Sequence, residues 1–205
     1  MLADKNIKEF LNETASSSPV PGGGSVAALS AGLAAALTAM VANLTIGKKG
    51  YEGLEEEMEN IAKEAEMYKE KFIEYIDKDS ESFNQVMAAF KLPKETEEEK
   101  EIRKEMIQRS YKAAALVPLE VAREGLKIMD IIETVVVKGN KNAVTDGAVA
   151  AMMARTATLS ALYNVKINLG SIKDAEFVEN IGKEVQEIED KITKIEKDIL
   201  EKVVL

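Results

Sequence analysis

Three places in this 205-residue chain set chemistry-bearing side chains where a plain helical pattern would not. One is Pro21-Gly22-Gly23-Gly24-Ser25, which leads straight into an apolar run. Consecutive glycines let a backbone approach a ligand closely, and a helix starting there presents unpaired N–H groups to an anion. The same residues also make a tight turn that seats a closely packed helix, and the sequence leaves both open. The second place is Asp79. An apolar stripe with spacings of three and four runs through Leu54, Met58, Ile61, Ala65, Tyr68, Phe72, Tyr75 and Ile76, then resumes at Phe83, Val86 and Phe90. Asp79 falls where the next core residue belongs. A carboxylate there must be paired or retained for function, unless the stripe shifts register and leaves Asp79 solvated beside Asp77, Lys78 and Ser80. The third place is Asn140-Lys141-Asn142-Ala143-Val144-Thr145-Asp146, followed by an apolar run with one guanidinium, Arg155. Thr145 and Asp146 suit a helix start, whereas Arg155 calls for a carboxylate or an anionic ligand.

The composition narrows what those residues can do. The chain has no His, no Cys and no Trp, which removes Ser-His-Asp and Cys-His nucleophiles, His- or Cys-ligated metal and any disulfide framework. No metal is expected. Proton transfer falls to Asp, Glu, Lys, Tyr or the backbone, and a carboxylate whose pKa is raised by burial is the natural shuttle. With 27 basic and 36 acidic residues the formal charge is −9, and there is no clustered basic face of the kind phosphate contacts need, so nucleic acid is not an expected partner. The start of the chain leads into an amphipathic stretch rather than a basic and then apolar leader, so a cytoplasmic protein is expected.

The elements that must position these residues read as helices throughout. Residues 26–47 are Ala-rich, uncharged and apolar on every face, the pattern of a central helix buried by other helices. Its length would span a bilayer, but alanine contributes little to insertion and Ser30, Thr38, Asn43 and Thr45 interrupt it, so no membrane partner is expected. The Asp79 stripe should end before Leu92-Pro93. Thr96 followed by Glu97, Glu98 and Glu99 is an N-cap with acids in the first turn, and Pro118 should kink that helix or open a new one running to Val137. A second Ala-rich helix begins near Thr145, with a break expected between Asn164 and Gly170. Ile181, Val185, Ile188, Ile192, Ile195, Ile199 and Val203 form a heptad-like stripe that suits either a coiled coil between subunits or a bundle helix. The expected architecture is one all-α domain over residues 1–205, a bundle of five to seven helices around a buried Ala-rich helix.

The strings PVPGGGSVAALSAGLAAALTAMVANLT, DSESFNQVMAAFKLPK and GNKNAVTDGAVAAMMARTATLSALYNVKINL, in this order, resemble the formiminotetrahydrofolate cyclodeaminase and methenyltetrahydrofolate cyclohydrolase family from Ile7 to about Leu169. Two departures are visible. The formiminotransferase domain fused to the animal proteins is not in this sequence, and Thr145-Asp146 stands where Ser-Asp is frequent. The resemblance implies an all-α fold, a homodimer or higher homo-oligomer, and a tetrahydrofolate derivative as substrate, bound near the subunit interface. Asp79 and Asp146 become the candidate proton-transfer groups, with Lys94 as donor or tail ligand. Gly22, Gly23, Gly24, Ser25, Asn43, Asn140, Asn142, Thr145, Arg155 and Asn164 become candidate folate contacts, and Asn168 offers a further amide. Lys48, Lys49, Lys138 and Lys141 are candidate partners for the anionic glutamate tail. The expected reaction is conversion of 5-formiminotetrahydrofolate to 5,10-methenyltetrahydrofolate and ammonia. The alternatives are hydrolysis of 5,10-methenyltetrahydrofolate to 10-formyltetrahydrofolate, and a folate-binding or helical interaction protein without turnover.

Overall fold

Seven α-helices make up most of residues 1–204, which the computed structural model describes. They are α1 (Ile7–Thr14), α2 (Gly23–Asn43), α3 (Glu55–Phe90), α4 (Glu97–Lys127), α5 (Met129–Lys138), α6 (Val144–Leu169) and α7 (Ala175–Leu200), with a short 3₁₀ turn at Lys141–Ala143 before α6. Two starts are fixed by capping boxes, Asn6 with Glu9 on α1 and Thr96 with Glu99 on α4, each worth about 1 kcal/mol.

The Ala-rich helix α2 sits between α3 and α6. Ala28, Ala31, Ala34 and Ala35 are wholly buried, and their small side chains let both neighbours approach. By length and hydropathy α2 would pass as a membrane span, but most of it is buried inside the bundle. α2 and α6 run antiparallel, since Ser30 Oγ donates to the Met153 carbonyl and Asn140, just before α6, donates to the Leu44 carbonyl beyond the end of α2. The start of α2 therefore lies beside the end of α6. Both helices also leave large apolar side chains exposed: Val26, Leu33 and Met40 on α2 with Leu44 just beyond it, and Val149, Met152, Tyr163 and Ile167 on α6, the last two 69% and 75% exposed.

Three expectations need correction. Of the two readings at Pro118, the opening of a new helix is not what is found: α4 passes through Pro118 without ending, and the chain breaks instead at Ile128. The carbonyl that proline leaves without a donor, that of Ala114, accepts from Asn168 Nδ2 at 3.0 Å. α6 does not break at Asn164; it continues to Leu169, because the Asn164 and Asn168 amides donate back to the Ser160 and Asn164 carbonyls. Thr145 and Asp146 do not cap α6, whose first turn has no side-chain cap; Asn140 caps the 3₁₀ turn instead, accepting from the Asn142 N–H. The C-terminal stripe proves to be a bundle helix: Val185, Ile188, Ile192 and Ile199 are buried in the common core. Arg123 ties α4 to α7 through a forked pair with Glu184 at 2.6 and 2.7 Å.

Candidate active site

The N-terminal end of α2, the C-terminal third of α3, α4 and the last turns of α6 line a cavity of about 350 Å³. Backbone from Gly22 to Gly24 forms one side. α3 contributes Asp79 and Ser82, then an apolar wall of Phe83, Val86, Met87 and Phe90. Tyr111 and Ala114 come from α4, and Asn164, Ile167 and Asn168 from α6. A few polar groups set in an otherwise apolar concavity of this size suit a small organic ligand. Phe90 is held edge-on against Tyr111 with ring centroids 6.1 Å apart, which stiffens the outer rim.

Asp79 occupies a core position of the α3 stripe because it has the start of α2 to face. Its Oδ2 accepts from Ser25 Oγ at 3.0 Å, and the same hydroxyl reaches the Ile76 carbonyl at 3.0 Å. One hydroxyl proton cannot serve both fully, so the carboxylate is only partly satisfied. Burial pushes the Asp79 carboxyl up from its ordinary value, and the Ser25 hydroxyl and backbone amide pull it back only in part. Such a group holds a proton more readily than an exposed carboxylate does. Gly24 is what admits it: a Cβ there would overlap the Asp79 carboxylate. A Cβ on Gly23 would press on the Asn164 amide at 3.3 Å. α2 has no side-chain cap at Gly22, and Gly22, Gly23 and Gly24 line the cavity.

The remaining candidates divide by position. Gly22, Gly23, Gly24, Ser25, Asp79 and Asn164 converge here, joined by Asn168. Asp146, Thr145, Asn142, Asn140 and Asn43 lie at the opposite end of the bundle, where α6 starts and α2 finishes. On α6, Asp146 and Asn164 are about 27 Å apart at 1.5 Å per residue, so within one chain Asp79 and Asp146 cannot act on the same atom. Asn140 is buried and held in place: its N–H donates to Thr45 Oγ1, its Nδ2 to Leu44 O, and its Oδ1 accepts from Asn142. Arg155 faces Glu196 of α7 at 3.1 Å and does not line the cavity. Lys94 is exposed on the α3–α4 loop, outside the lining. Lys138 pairs with Glu57 at 2.6 Å, also at the far end.

The sequence did not single out the aromatic wall or Arg103. Phe83, Val86 and Phe90 were visible as a stripe but read as core, because spacing does not distinguish a packed face from one that lines a cavity. Arg103 lies over the Phe90 ring, 5.6 Å from its centroid, and donates to the Phe90 carbonyl at 3.3 and 3.2 Å. It is a cation at the rim of the cavity, brought there from a helix whose local sequence gives no such hint.

Residues 6–187 match the family model described as formiminotransferase-cyclodeaminase. A methenyltetrahydrofolate cyclohydrolase of Methylorubrum extorquens is 40% identical over 186 residues, covering 91% of this chain and 89% of that protein. The formimidoyltransferase-cyclodeaminase of Gallus gallus is 35% identical over 176 residues, 86% of this chain but 32% of the larger protein. In three dimensions the chain superimposes on the crystal structure of formiminotetrahydrofolate cyclodeaminase from Thermotoga maritima with a TM-score of 0.88 and 34% identity, over 99% of this chain and 98% of the other.

Proposed function

The chain belongs to the formiminotransferase-cyclodeaminase family of folate one-carbon enzymes, and on that premise we propose that its reaction is hydrolysis of 5,10-methenyltetrahydrofolate to 10-formyltetrahydrofolate. Ring-closing deamination of 5-formiminotetrahydrofolate, the first expectation from sequence, becomes the second reading. What supports this order is the 40% identical cyclohydrolase, which this chain matches over nearly its whole length. The Thermotoga maritima structure, matched equally fully at 34% identity, keeps the deamination in view.

The single observation that carries the mechanism is the Asp79 carboxylate, half-buried in the cavity wall with its pKa raised. Water adds to the cationic methenyl carbon while Asp79 takes one of its protons, forming a tetrahedral carbon between N5 and N10. The bond from that carbon to N5 then breaks as Asp79 returns the proton to N5. The remaining hydroxyl proton passes to solvent, leaving the formyl group on N10. General base and acid catalysis of this kind contributes typically ~10²–10⁴-fold. The negative charge beside the carbon also stabilises its cationic form in a water-poor setting. In the second reading N10 replaces water as nucleophile, and Asp79 carries the N10 proton to the formimino nitrogen, which leaves as ammonia.

The tail carboxylates leave the cavity past Phe90, where Arg103 waits at the rim and Lys94 follows on the adjoining loop. Lys48, Lys49, Lys138 and Lys141 are too distant to serve the same copy. The exposed apolar stripes of α2 and α6 support a homodimer through this face. Asp146, Thr145 and Asn142 belong to the catalytic unit only if a second copy brings its α6 start to the Asp79 cavity. A cytoplasmic enzyme is carried forward as part of the same proposal.

The test compares purified protein on 5,10-methenyl- and 5-formiminotetrahydrofolate, following the absorbance of the methenyl species. Loss of methenyl absorbance well above the uncatalysed rate, with little formation from the formimino compound, is expected. The opposite ratio would establish the second reading, and no turnover of either would leave a folate-binding protein without catalysis.

A further inference from the structure

Pro118 removes an amide donor from the middle of α4, and a side chain from α6 replaces it. In an uninterrupted helix the Ala114 carbonyl would accept from the N–H of residue 118, which proline lacks. Asn168 Nδ2 has two hydrogens, and the structure uses both: the amide donates to Ala114 O at 3.0 Å and to Asn164 O at 2.9 Å. A flipped amide would set Oδ1 against two carbonyl oxygens, so the orientation is fixed from both sides. Oδ1 accepts no hydrogen bond from any described residue. Asn168 and Ala114 both line the cavity that holds Asp79.

We infer that Asn168 is a substrate-positioning residue that accepts, through Oδ1, a hydrogen bond from a ring N–H of the reduced pterin, and that Pro118 is the device that locks this acceptor in place. The inference rests on the folate reading above. A reduced pterin carries several N–H donors, while Asp79 must stay available for the transferred proton. A second acceptor in the cavity should therefore be neutral, so that it orients the ring without competing for that proton. Asn168 meets the requirement, and its amide is immobilised before substrate arrives, which lowers the ordering cost of binding. Asn164 also lines the cavity, but its Nδ2 has one anchor, the Ser160 carbonyl at 2.9 Å, so its amide is held less firmly.

Three variants separate this role from that of a simple helix repair: Asn168→Ala, Pro118→Ala and the double variant, each measured for thermal midpoint and for kcat and KM on 5,10-methenyltetrahydrofolate. Asn168→Ala should raise KM about tenfold, the loss of one buried hydrogen bond to substrate, with kcat within about twofold. It should also lower the thermal midpoint, because the Ala114 carbonyl loses its donor. Pro118→Ala restores the helical N–H, leaves Asn168 with one anchor, and should raise KM a few-fold with no loss of stability. In the double variant the thermal midpoint should recover while KM stays at the Asn168→Ala level. Recovery of KM together with stability would overturn the inference and reduce Asn168 to a patch on α4. If the unmodified enzyme turns over neither folate, the functional reading falls and this inference with it; if it is active and the double variant matches it, the inference alone falls.

Discussion

The Asp79 carboxylate fills the space that a β-carbon on Gly24 would need. A side chain on α3 and the absence of one on α2 are thus two halves of a single contact, and the glycine run is required for packing as well as for exposing the helix start to a ligand.

Gly24→Ala should therefore displace the carboxylate rather than merely stiffen the loop. The expected cost is about 1–3 kcal/mol of stability, as for an overpacked core, with kcat reduced at least tenfold. Gly22→Ala meets only the Pro19 carbonyl at 3.3 Å and should be milder on both counts. Urea denaturation paired with initial-rate assays of the two variants decides the point, and equal effects would remove the special role of Gly24.

Asp79→Asn should lower turnover by about a hundredfold or more while leaving the fold intact. The folded-state pKa is raised by burial above the ordinary aspartate value of 3.8, so its contribution to stability is fully present below that value and is lost as pH rises through the folded pKa. The variant should accordingly be as stable as the parent, or more so, at neutral pH. In the parent enzyme the acid limb of the pH–rate profile should lie above 3.8, and the residual activity of the variant should lack it. Thermal melts and rate profiles from pH 4 to 9 supply the check.

Arg103→Ala should weaken recognition of the substrate tail and leave the chemistry alone. An exposed ion pair is worth about 1 kcal/mol at most, about fivefold in KM, with kcat unchanged. The effect should shrink at high salt. A KM that does not respond to the substitution, with either a monoglutamyl or a polyglutamyl substrate, would place the tail elsewhere.

Leu33→Glu puts a charge in the middle of the exposed α2 stripe and should convert a dimer to monomers, read by light scattering. If the second copy supplies Asp146 to the Asp79 cavity, Asp79→Asn and Asp146→Asn will each be inactive as pure proteins. Dissociated and reassociated in equal amounts they should regain about a quarter of native activity, since half of the randomly formed twofold dimers are mixed and each holds one intact site. An active Asp146→Asn protein would remove Asp146 from the mechanism altogether.

The fold was largely legible because helical periodicity is local. The Asp79 stripe, the Thr96 cap and the all-round apolar character of α2 each imposed a helix without reference to anything distant. The errors arose where a remote side chain overrides a local rule. Pro118 does not break α4 because Asn168, fifty residues later in the chain, supplies the missing donor, and the asparagines near the end of α6 do not break it because their amides turn back on its own carbonyls. The site was half legible for the same reason. Asp79 was marked by its misfit with the stripe, but nothing in the spacing of Asp146 or Arg155 revealed that they lie far from it.

The alanines of α2 have a consequence for how the enzyme tolerates change. Ala28 and Ala31 lie one and two turns beyond Gly24 and have no exposed surface, so the separation of α2 from α3 is gauged by methyl groups. Enlarging any of them would push the helices apart, and Asp79 would move with α3. On the proposed mechanism, residues that never meet the substrate thus set the distance over which Asp79 would pass its proton. Variants selected for altered activity should be found along this inert helix as readily as in the cavity wall.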